Sequence, residues 1–182
     1  MKILTFQHKD VLNELKNKGV YLANINSFYK QQTPKCYNIV FNNIKVKEPG
    51  ATQPIFGWKK VLNKELIVDS ETIKRCLEMT YLEEDEYLLF ELNIDDDKVS
   101  LQNFYNFVDA RCEEEGIDPY YESFEEFPIN TIFEIEDGEI QATFSSIRKE
   151  YIENVYSYKK INNEYEITKI NFWKLKSLYT NK

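Results

Sequence analysis

Three polar residues alternate with apolar ones in a late segment of the chain, EDGEIQATFSSI (136–147). Glu139, Gln141 and Thr143 fall on one side of an extended chain and the apolar residues between them fall on the other, because successive strand side chains point to opposite faces. On a sheet with one buried face, such a polar row is ordinarily the face in contact with water. It becomes the floor of a binding site only if a pocket covers it.

Two further residues have side chains suited to chemistry on a nucleotide. His8, the single histidine, follows the first apolar run and can orient a ribose or act as a base. A water-exposed position at a helix start explains this residue equally well. Trp58, beside Phe56 and Gly57, offers a ring that can stack on a base or a nicotinamide. Because aromatic residues make up 15% of the chain, core packing is the favoured role for Trp58.

The residue types that other site chemistries require are missing or badly spaced. Three consecutive aspartates (95–97) have the oxygen ligands that Mg²⁺ and Ca²⁺ prefer, but no glycine or distal glutamate completes a calcium loop, so a solvated turn is favoured and no metal is expected. Cys36, Cys76 and Cys112 are far apart and form no CxxC pair, which favours small buried thiols in a reducing compartment. Walker A, dinucleotide, HExxH and GxSxG motifs are absent from the sequence.

The net charge of −8 is distributed unevenly along the chain. Residues 1–66 carry +7, residues 67–140 carry −19 and residues 141–182 carry +4. A basic start and end that met in space would suit a phosphate-bearing ligand or RNA, but solvated charges that maintain solubility are favoured because no nucleic-acid motif is present. Within the acidic part, 113–127 mixes glutamates with tyrosines and phenylalanines and is a candidate docking segment for a basic protein partner.

Periodicity predicts the elements that position these residues. The most secure prediction is a strand–helix–strand opening, with ILTF (3–6), a helix over 8–19 that ends at Gly19, and VYLA (20–23). Further helices are predicted over 35–47, 70–82 with Ser70 as cap, and 101–116. Further strands are predicted over 54–61, 87–94 and 140–147, and 148–161 is ambiguous between strand and helix, with a strand favoured. A loop or a short helix is predicted over 24–34, and a loop over 118–128.

These elements predict an α+β fold with a mixed or antiparallel sheet and irregularly placed helices, because no glycine-rich turn indicates a doubly wound sheet. We expect a single domain over 1–162, followed by a strand and basic tail over 163–182 anchored by Phe172 and Trp173. No apolar run reaches bilayer length and the start becomes charged too early for a secretory signal, so a cytoplasmic protein without membrane contact is expected.

Several sequence pieces, in order over most of 1–147, resemble an uncharacterised bacterial family, domain-of-unknown-function family 3841. The matching pieces are LTFQ, KGVYLAN, QPIFGW, LLFELNIDDDKVSLQNF and IFEIEDGEIQATFSSI. The chain departs from the family pattern in three places. The family tends to have a second Trp at Phe56, a Ser-Asp pair at 102–103 (Gln-Asn here) and a Trp-His pair at 107–108 (Phe-Val here). The resemblance implies no known activity.

The strand order is also distantly similar to the ADP-ribosyltransferase fold, and this similarity implies a set of roles. His8 or Gln7 would take the first-strand position that orients the ribose of NAD, and Tyr21 would help to hold nicotinamide. The late Glu-x-Glu or Gln-x-Glu pair of that fold corresponds to Glu139-x-Gln141. The position expected to hold the catalytic glutamate therefore holds Gln141, and a neutral amide stabilises a cation-like transition state poorly.

Two functions follow as hypotheses. The first is a nucleotide-binding, ADP-ribosyltransferase-like enzyme in which Trp58 or Tyr21 stacks the nicotinamide ring and Glu139 or Gln141 contacts the ribose hydroxyl. In it, replacing Glu139 by alanine is expected to abolish turnover without unfolding the protein. The second is a non-catalytic interaction module, or a phage-borne inhibitor, that uses the acidic, aromatic segment 113–127.

Overall fold

One antiparallel sheet forms the centre of the fold. The computed structural model describes residues 1–23, 32–62, 64–80, 82, 86–136 and 138–171. Across the sheet, the strands follow the order β10 (Glu164–Ile170), β9 (Ile152–Ile161), β5 (Tyr87–Asn93), β1 (Lys2–His8), β3 (Ile55–Val61), β7 (Ile140–Phe144) and β6 (Ser100–Asn103), and the short β4 (Lys64–Glu65) pairs with β3. The described strand pairings are all antiparallel, so the predicted α+β class is confirmed.

Four α-helices are described: α1 (Asp10–Lys18), α2 (Pro34–Asn43), α3 (Ser70–Thr80) and α4 (Phe104–Glu115). The end of α1 is as predicted, because Gly19 adopts the left-handed conformation at φ 78°. The predicted cap of α3 is wrong. Asp69 performs this role, since its carboxylate accepts the N–H of Thr72 at 2.8 Å, whereas the Ser70 hydroxyl accepts the N–H of Tyr165 on β10 at 2.8 Å.

The helix predicted over 101–116 begins later than its sequence pattern indicates. Residues 100–103 pair with β7 as strand β6, and α4 starts only at Phe104. The Asn103 side chain marks the change, because it accepts the N–H groups of Tyr105 and Asn106 as a helix cap. Pairing at the edge of the sheet thus overrides the local helical spacing.

The predicted strand over 140–147 divides into two. β7 ends at Phe144, and the next residues form β8 (Ser146–Arg148), which leaves the main sheet and pairs with β2 (Val20–Leu22). The predicted opening strand β2 therefore belongs to a separate two-stranded sheet. A backbone bond from Lys149 N–H to the Gly19 carbonyl extends this junction at 3.1 Å.

The chain returns to the main sheet through β9 and β10. Their connection contains Asn162 at φ 49° and Asn163 at φ 67°, as a type I′ turn requires, and asparagine tolerates that conformation better than most residues. The predicted final strand is therefore present and pairs along β9. The predicted anchors Phe172 and Trp173, and most of the segment 24–34 that was predicted as a loop or a short helix, lie outside the described residues.

Both faces of the sheet are covered. We call one the α1 face, where Ile3, Phe90 and Phe144 belong to an apolar cluster with Leu12 and Leu15 of α1. The opposite α3 face carries a second cluster, formed by the side chains Leu4, Trp58, Leu89, Ile73, Cys76 and Leu77. Helices α2 and α4 pack together in a third cluster beside Phe56. Among the described residues, no helix combines the length and apolar composition that a membrane crossing requires.

Candidate functional site

The polar row of β7 is buried, so its interpretation as a water-facing side is wrong. Glu139 and Gln141 are each 5% exposed and Thr143 is 1% exposed. β7 lies between β3 and β6 and is covered on both faces, which the alternation pattern does not reveal. The row faces the α3 side of the sheet, since Gln141 pairs in register with Trp58, which in turn pairs with Leu4.

Glu139 is held by two donors from different elements. Its Oε2 accepts the N–H of Leu62 at 2.8 Å, and its Oε1 accepts the Nε–H of Arg75 at 3.1 Å. The Arg75 side chain is 32% exposed, and its other end contacts the Tyr105 hydroxyl. The Glu139 carbonyl also accepts the N–H of Phe104 at 2.9 Å. These bonds connect α3, β3 and α4, so Glu139 fixes the junction of three elements.

The neighbouring amides form a buried pair. Gln102 is fully buried and donates from Nε2 to Oε1 of Gln141 at 3.0 Å. Among the described residues, no hydrogen-bond donor reaches the Oε1 of Gln102. The Thr143 hydroxyl donates to the Ser100 carbonyl at 3.2 Å, so each polar residue of the β7 row bonds within the protein. Trp58 is 2% exposed and its ring lies 5.1 Å from that of Phe104, as core packing predicts.

The other predicted site residues lie elsewhere. Gln7 points to the α1 face, because it is two residues from Thr5, and its Nε2 donates to the Thr5 hydroxyl at 2.7 Å. Tyr21 lies on β2 and packs against the α1-face cluster, and burial, followed by nearby Glu14 and Tyr87, raises the pKa of its phenol. The sheet therefore separates Gln7 and Tyr21 from Trp58, Glu139 and Gln141.

His8 lies at the end of β1. Its side chain is 44% exposed, its Nδ1 lies 3.2 Å from the Asp10 carboxylate, and its ring packs edge-on against Tyr87 at 5.8 Å. This is the water-exposed position at a helix start that its sequence context also predicted. The six predicted residues thus occupy three places, and only Trp58, Glu139 and Gln141 are brought together.

Sequence reasoning missed a second buried carboxylate, Glu91 on the α3 face of β5, which is 6% exposed. It forms an ion pair with Lys2 and accepts hydrogen bonds from Asn154 at 2.6 Å and the Tyr156 hydroxyl at 2.8 Å. Burial alone would raise the pKa of Glu91, but these donors and the Lys2 charge outweigh it and lower the pKa. The available signal was its place as the single charged residue in YLLFELNI.

Burial followed by the Glu91 hydrogen bond raises the pKa of Tyr156 to about 12. The phenol therefore remains protonated at neutral pH and acts as a donor to the carboxylate. The Glu91 carboxylate, held by the Tyr156 hydroxyl, is therefore a structural anion within the sheet. Lys2 balances its charge.

The cysteines are poor nucleophiles. Burial is the largest cause that raises the pKa of Cys36, Cys76 and Cys112, so their thiols stay protonated near neutral pH. Cys36 and Cys76 are fully buried, as predicted. Within the described ranges, no group of three or more metal-ligating side chains is close enough to hold an ion.

A polar cleft of about 430 Å³ lies where β5 and β7 end, and its charged groups are already paired with one another. Arg148 bonds Glu48 through two nitrogens and lies 3.6 Å from Glu150, and Lys98 pairs with Asp95. The apolar floor of this cleft is formed by Ile94, Phe144 and Tyr151.

The segment 113–127, which we call the acidic aromatic surface, is ordered by its own carboxylates. Glu113 accepts the N–H groups of Tyr120 at 2.5 Å and Tyr121 at 3.4 Å. Glu114 accepts the N–H groups of Lys35 and Cys36, each at 2.8 Å, and so satisfies the start of α2. These bonds hold the segment against α2 and α4.

The aromatic part of this surface divides into half-buried and exposed rings. Phe124 and Phe127 are stacked at 6.4 Å and pack against the α2–α4 cluster. Tyr120 is 88% exposed and Ile117 is 54% exposed. The surface therefore has an apolar support beneath it and two large side chains directed outward.

Comparison with protein-family models, with curated proteins and with solved structures found no match for this chain. The resemblance to family 3841 and the similarity to the ADP-ribosyltransferase fold therefore stay predictions.

Proposed function

We propose that this protein is an interaction module that binds a basic protein segment through the acidic aromatic surface. The observation that carries the proposal is the side chain of Tyr120, 88% exposed on a surface with seven carboxylates and no lysine or arginine. Tyrosine is enriched among the residues that dominate binding energy at protein interfaces. The Glu113 carboxylate fixes the backbone of Tyr120, so little backbone entropy is lost at Tyr120 when a partner binds.

The structure identifies which carboxylates are available to a partner. Four of the seven have protein partners, because Glu113 and Glu114 bind backbone N–H groups, Glu115 pairs with Arg111 and Glu125 pairs with Lys35. The exposed side chains that remain, with no ion pair among the described residues, are Asp118, Glu122 and Glu126. These three flank Tyr120 in sequence and are the proposed contacts for lysine or arginine.

The chemistry defines the partner class. A complementary segment carries lysine or arginine together with an apolar or aromatic side chain that packs on Tyr120 and Ile117. Exposed charges steer such an encounter and set its salt dependence more than its final affinity. Salt shortens the Debye length from about 10 Å at 0.1 M to about 3 Å at 1 M, so binding should weaken as salt rises.

The test is selection from a random peptide display library, followed by fluorescence polarisation with the selected peptides. We expect basic peptides with apolar residues, an affinity that falls with salt, and a loss of about tenfold or more on Tyr120→Ala. A variant with Glu122→Lys and Glu126→Lys should also lose binding. The matched control, Glu153→Lys with Glu164→Lys, changes the charge by the same amount at exposed positions of β9 and β10 and should keep binding.

Three results contradict the proposal. The first is the selection of peptides without basic residues. The second is binding that survives high salt and charge reversal at Glu122 and Glu126. The third is binding that falls equally in the control variant.

A second candidate is the NAD-binding, ADP-ribosyltransferase-like function. One observation favours it: Trp58, Gln141 and Glu139 share the α3 face, and the partly exposed Arg75 guanidinium, which is paired with Glu139, is a cation of the kind that pyrophosphate needs. Thermal shift with NAD and ADP-ribose tests it, and Arg75→Gln should remove any rise in melting temperature. A flat scan with both compounds contradicts it.

A further inference from the structure

A second cleft lies in a fork between two strands of the main sheet. The register of β5 with β9 ends at the pair Leu89 and Tyr156, although both strands continue beyond it. A cleft of about 370 Å³ occupies this position, within the range of about 300–1,000 Å³ typical of small-molecule sites. It is lined by Lys9, Tyr87, Leu88, Ser157, Tyr158, Lys159, Glu166 and Thr168.

The two lysines of this cleft carry available positive charge. Neither Lys9 nor Lys159 makes an ion pair within the described part of the chain, in contrast to Arg148 and Lys98 of the larger cleft. The single acid in the lining is Glu166, which lies opposite Lys159 in the β9–β10 register but forms no ion pair with it. The lining therefore has two cations and one anion, a net charge that suits an anionic group.

Hydroxyl and apolar groups complete the lining. Ser157 and Thr168 are cross-strand neighbours, and their hydroxyls supply hydrogen-bond donors for anion oxygens. The Ser157 hydroxyl makes only a long contact of 3.5 Å with the Thr168 carbonyl, so it can turn to a ligand with little loss. Leu88 lies on the α1 face with Ser157 and Thr168 and offers an apolar wall that suits a planar ring.

We propose that this fork cleft binds a phosphate-bearing small molecule with a planar ring. Lys9 and Lys159 contact the phosphate as ammonium donors, the hydroxyls of Ser157 and Thr168 bond its oxygens, and the ring lies against Leu88. Ammonium groups bind phosphate as point charges and do not need the planar geometry of arginine. The site lies in the sheet and uses no residue of the acidic aromatic surface, so it is independent of the interaction function.

The experiment is titration of ¹⁵N-labelled protein with inorganic phosphate, AMP and adenosine, with calorimetry for affinities. We expect AMP to bind more tightly than phosphate, adenosine to bind least, and the shifted amides to lie in 87–88, 157–159 and 166–168. The double variant Lys9→Gln with Lys159→Gln should weaken AMP binding by about tenfold or more, because two charged hydrogen bonds are lost.

A matched control separates a specific site from general charge. The double variant Lys160→Gln with Lys169→Gln also removes two positive charges, in this case one from β9 and one from β10. The exposed side chains of Lys160 and Lys169 point to the α3 face, away from Lys159 and Thr168. Equal losses in both double variants would overturn the proposal, as would no response to AMP and phosphate, or adenosine binding as tightly as AMP.

Discussion

Replacing Glu139 by alanine should destabilise the protein, and its effect can be estimated from two contacts. The change leaves the Leu62 N–H without its acceptor, and an unsatisfied buried donor costs about 1–3 kcal/mol. It also removes the Arg75 hydrogen bond, which contributes less than a fully buried pair because Arg75 is 32% exposed and can be rehydrated. We therefore expect the free energy of unfolding to fall by about 2–4 kcal/mol.

The assay is urea unfolding followed by tryptophan fluorescence and circular dichroism, together with thermal melting. For a protein of this length, about 2–4 kcal/mol corresponds to a melting temperature lower by roughly 5–15 °C. Glu139→Gln should lose less, because its amide oxygen still accepts the Leu62 N–H. The contacts of Glu139 therefore predict a loss of stability in Glu139→Ala, whereas the sequence-based hypothesis expected folding to remain intact.

A matched control tests whether the loss of stability is specific to Glu139. Glu136 lies three residues before Glu139 and is exposed, so Glu136→Ala should change the free energy of unfolding by less than about 0.5 kcal/mol. Equal destabilisation by Glu136→Ala and Glu139→Ala would refute the role of Glu139 at the junction of α3, β3 and α4. So would a Glu139→Gln variant that melts lower than Glu139→Ala.

Three further predictions follow from single contacts. Gly57→Val should destabilise by about 1–3 kcal/mol in urea unfolding, because a Cβ at that position would lie 2.5 Å from Ile3 Cγ2; unchanged stability would contradict this close approach. Because the pKa of Glu91 is lowered in the folded protein, its carboxylate stabilises the fold above the unfolded pKa of about 4.3, and this stabilisation is lost as pH falls through the folded pKa. In Glu91→Gln, the free energy of unfolding should therefore decrease less steeply as the solution is made acidic. Asn103→Ala should cost about 1 kcal/mol through loss of a helix cap, measured by urea unfolding, with Asn103→Ser keeping most of it.

The sequence patterns located most elements but not their partners. Gly19 ends α1, YLLFELNI forms an interior strand, and the predicted strand over 148–161 is present from Ile152, because capping and hydrophobic runs act locally. The strand pairing of residues 100–103 and the departure of β8 depend on contacts between residues far apart in the chain, which local periodicity cannot encode.

The candidate site was harder to predict for the same reason. Alternation assigns Glu139 and Gln141 to one face of a strand, but whether that face meets water depends on α3 and α4, which cover it. Gln7 lies on β1 and Trp58 lies on the neighbouring strand β3. Trp58 pairs with Leu4, three residues before Gln7, and because side chains alternate between the two faces, Gln7 and Trp58 lie on opposite faces. The buried position of Glu91 can be predicted without the tertiary structure, since a single acid inside an apolar strand indicates a buried carboxylate with a partner.

The pairing of β2 with β8 has a consequence for synthesis on the ribosome. β2 ends at Leu22, but its partner begins at Ser146, so well over a hundred residues must emerge before this small sheet can close. The main sheet has a similar order, because β3 receives β7 only after residue 144 is available. A nascent chain interrupted before Ile140 presents unpaired edges on β3 and β6, and such edges recruit other chains. Protection by a chaperone is therefore most valuable to this protein while residues 104–144 are being synthesised.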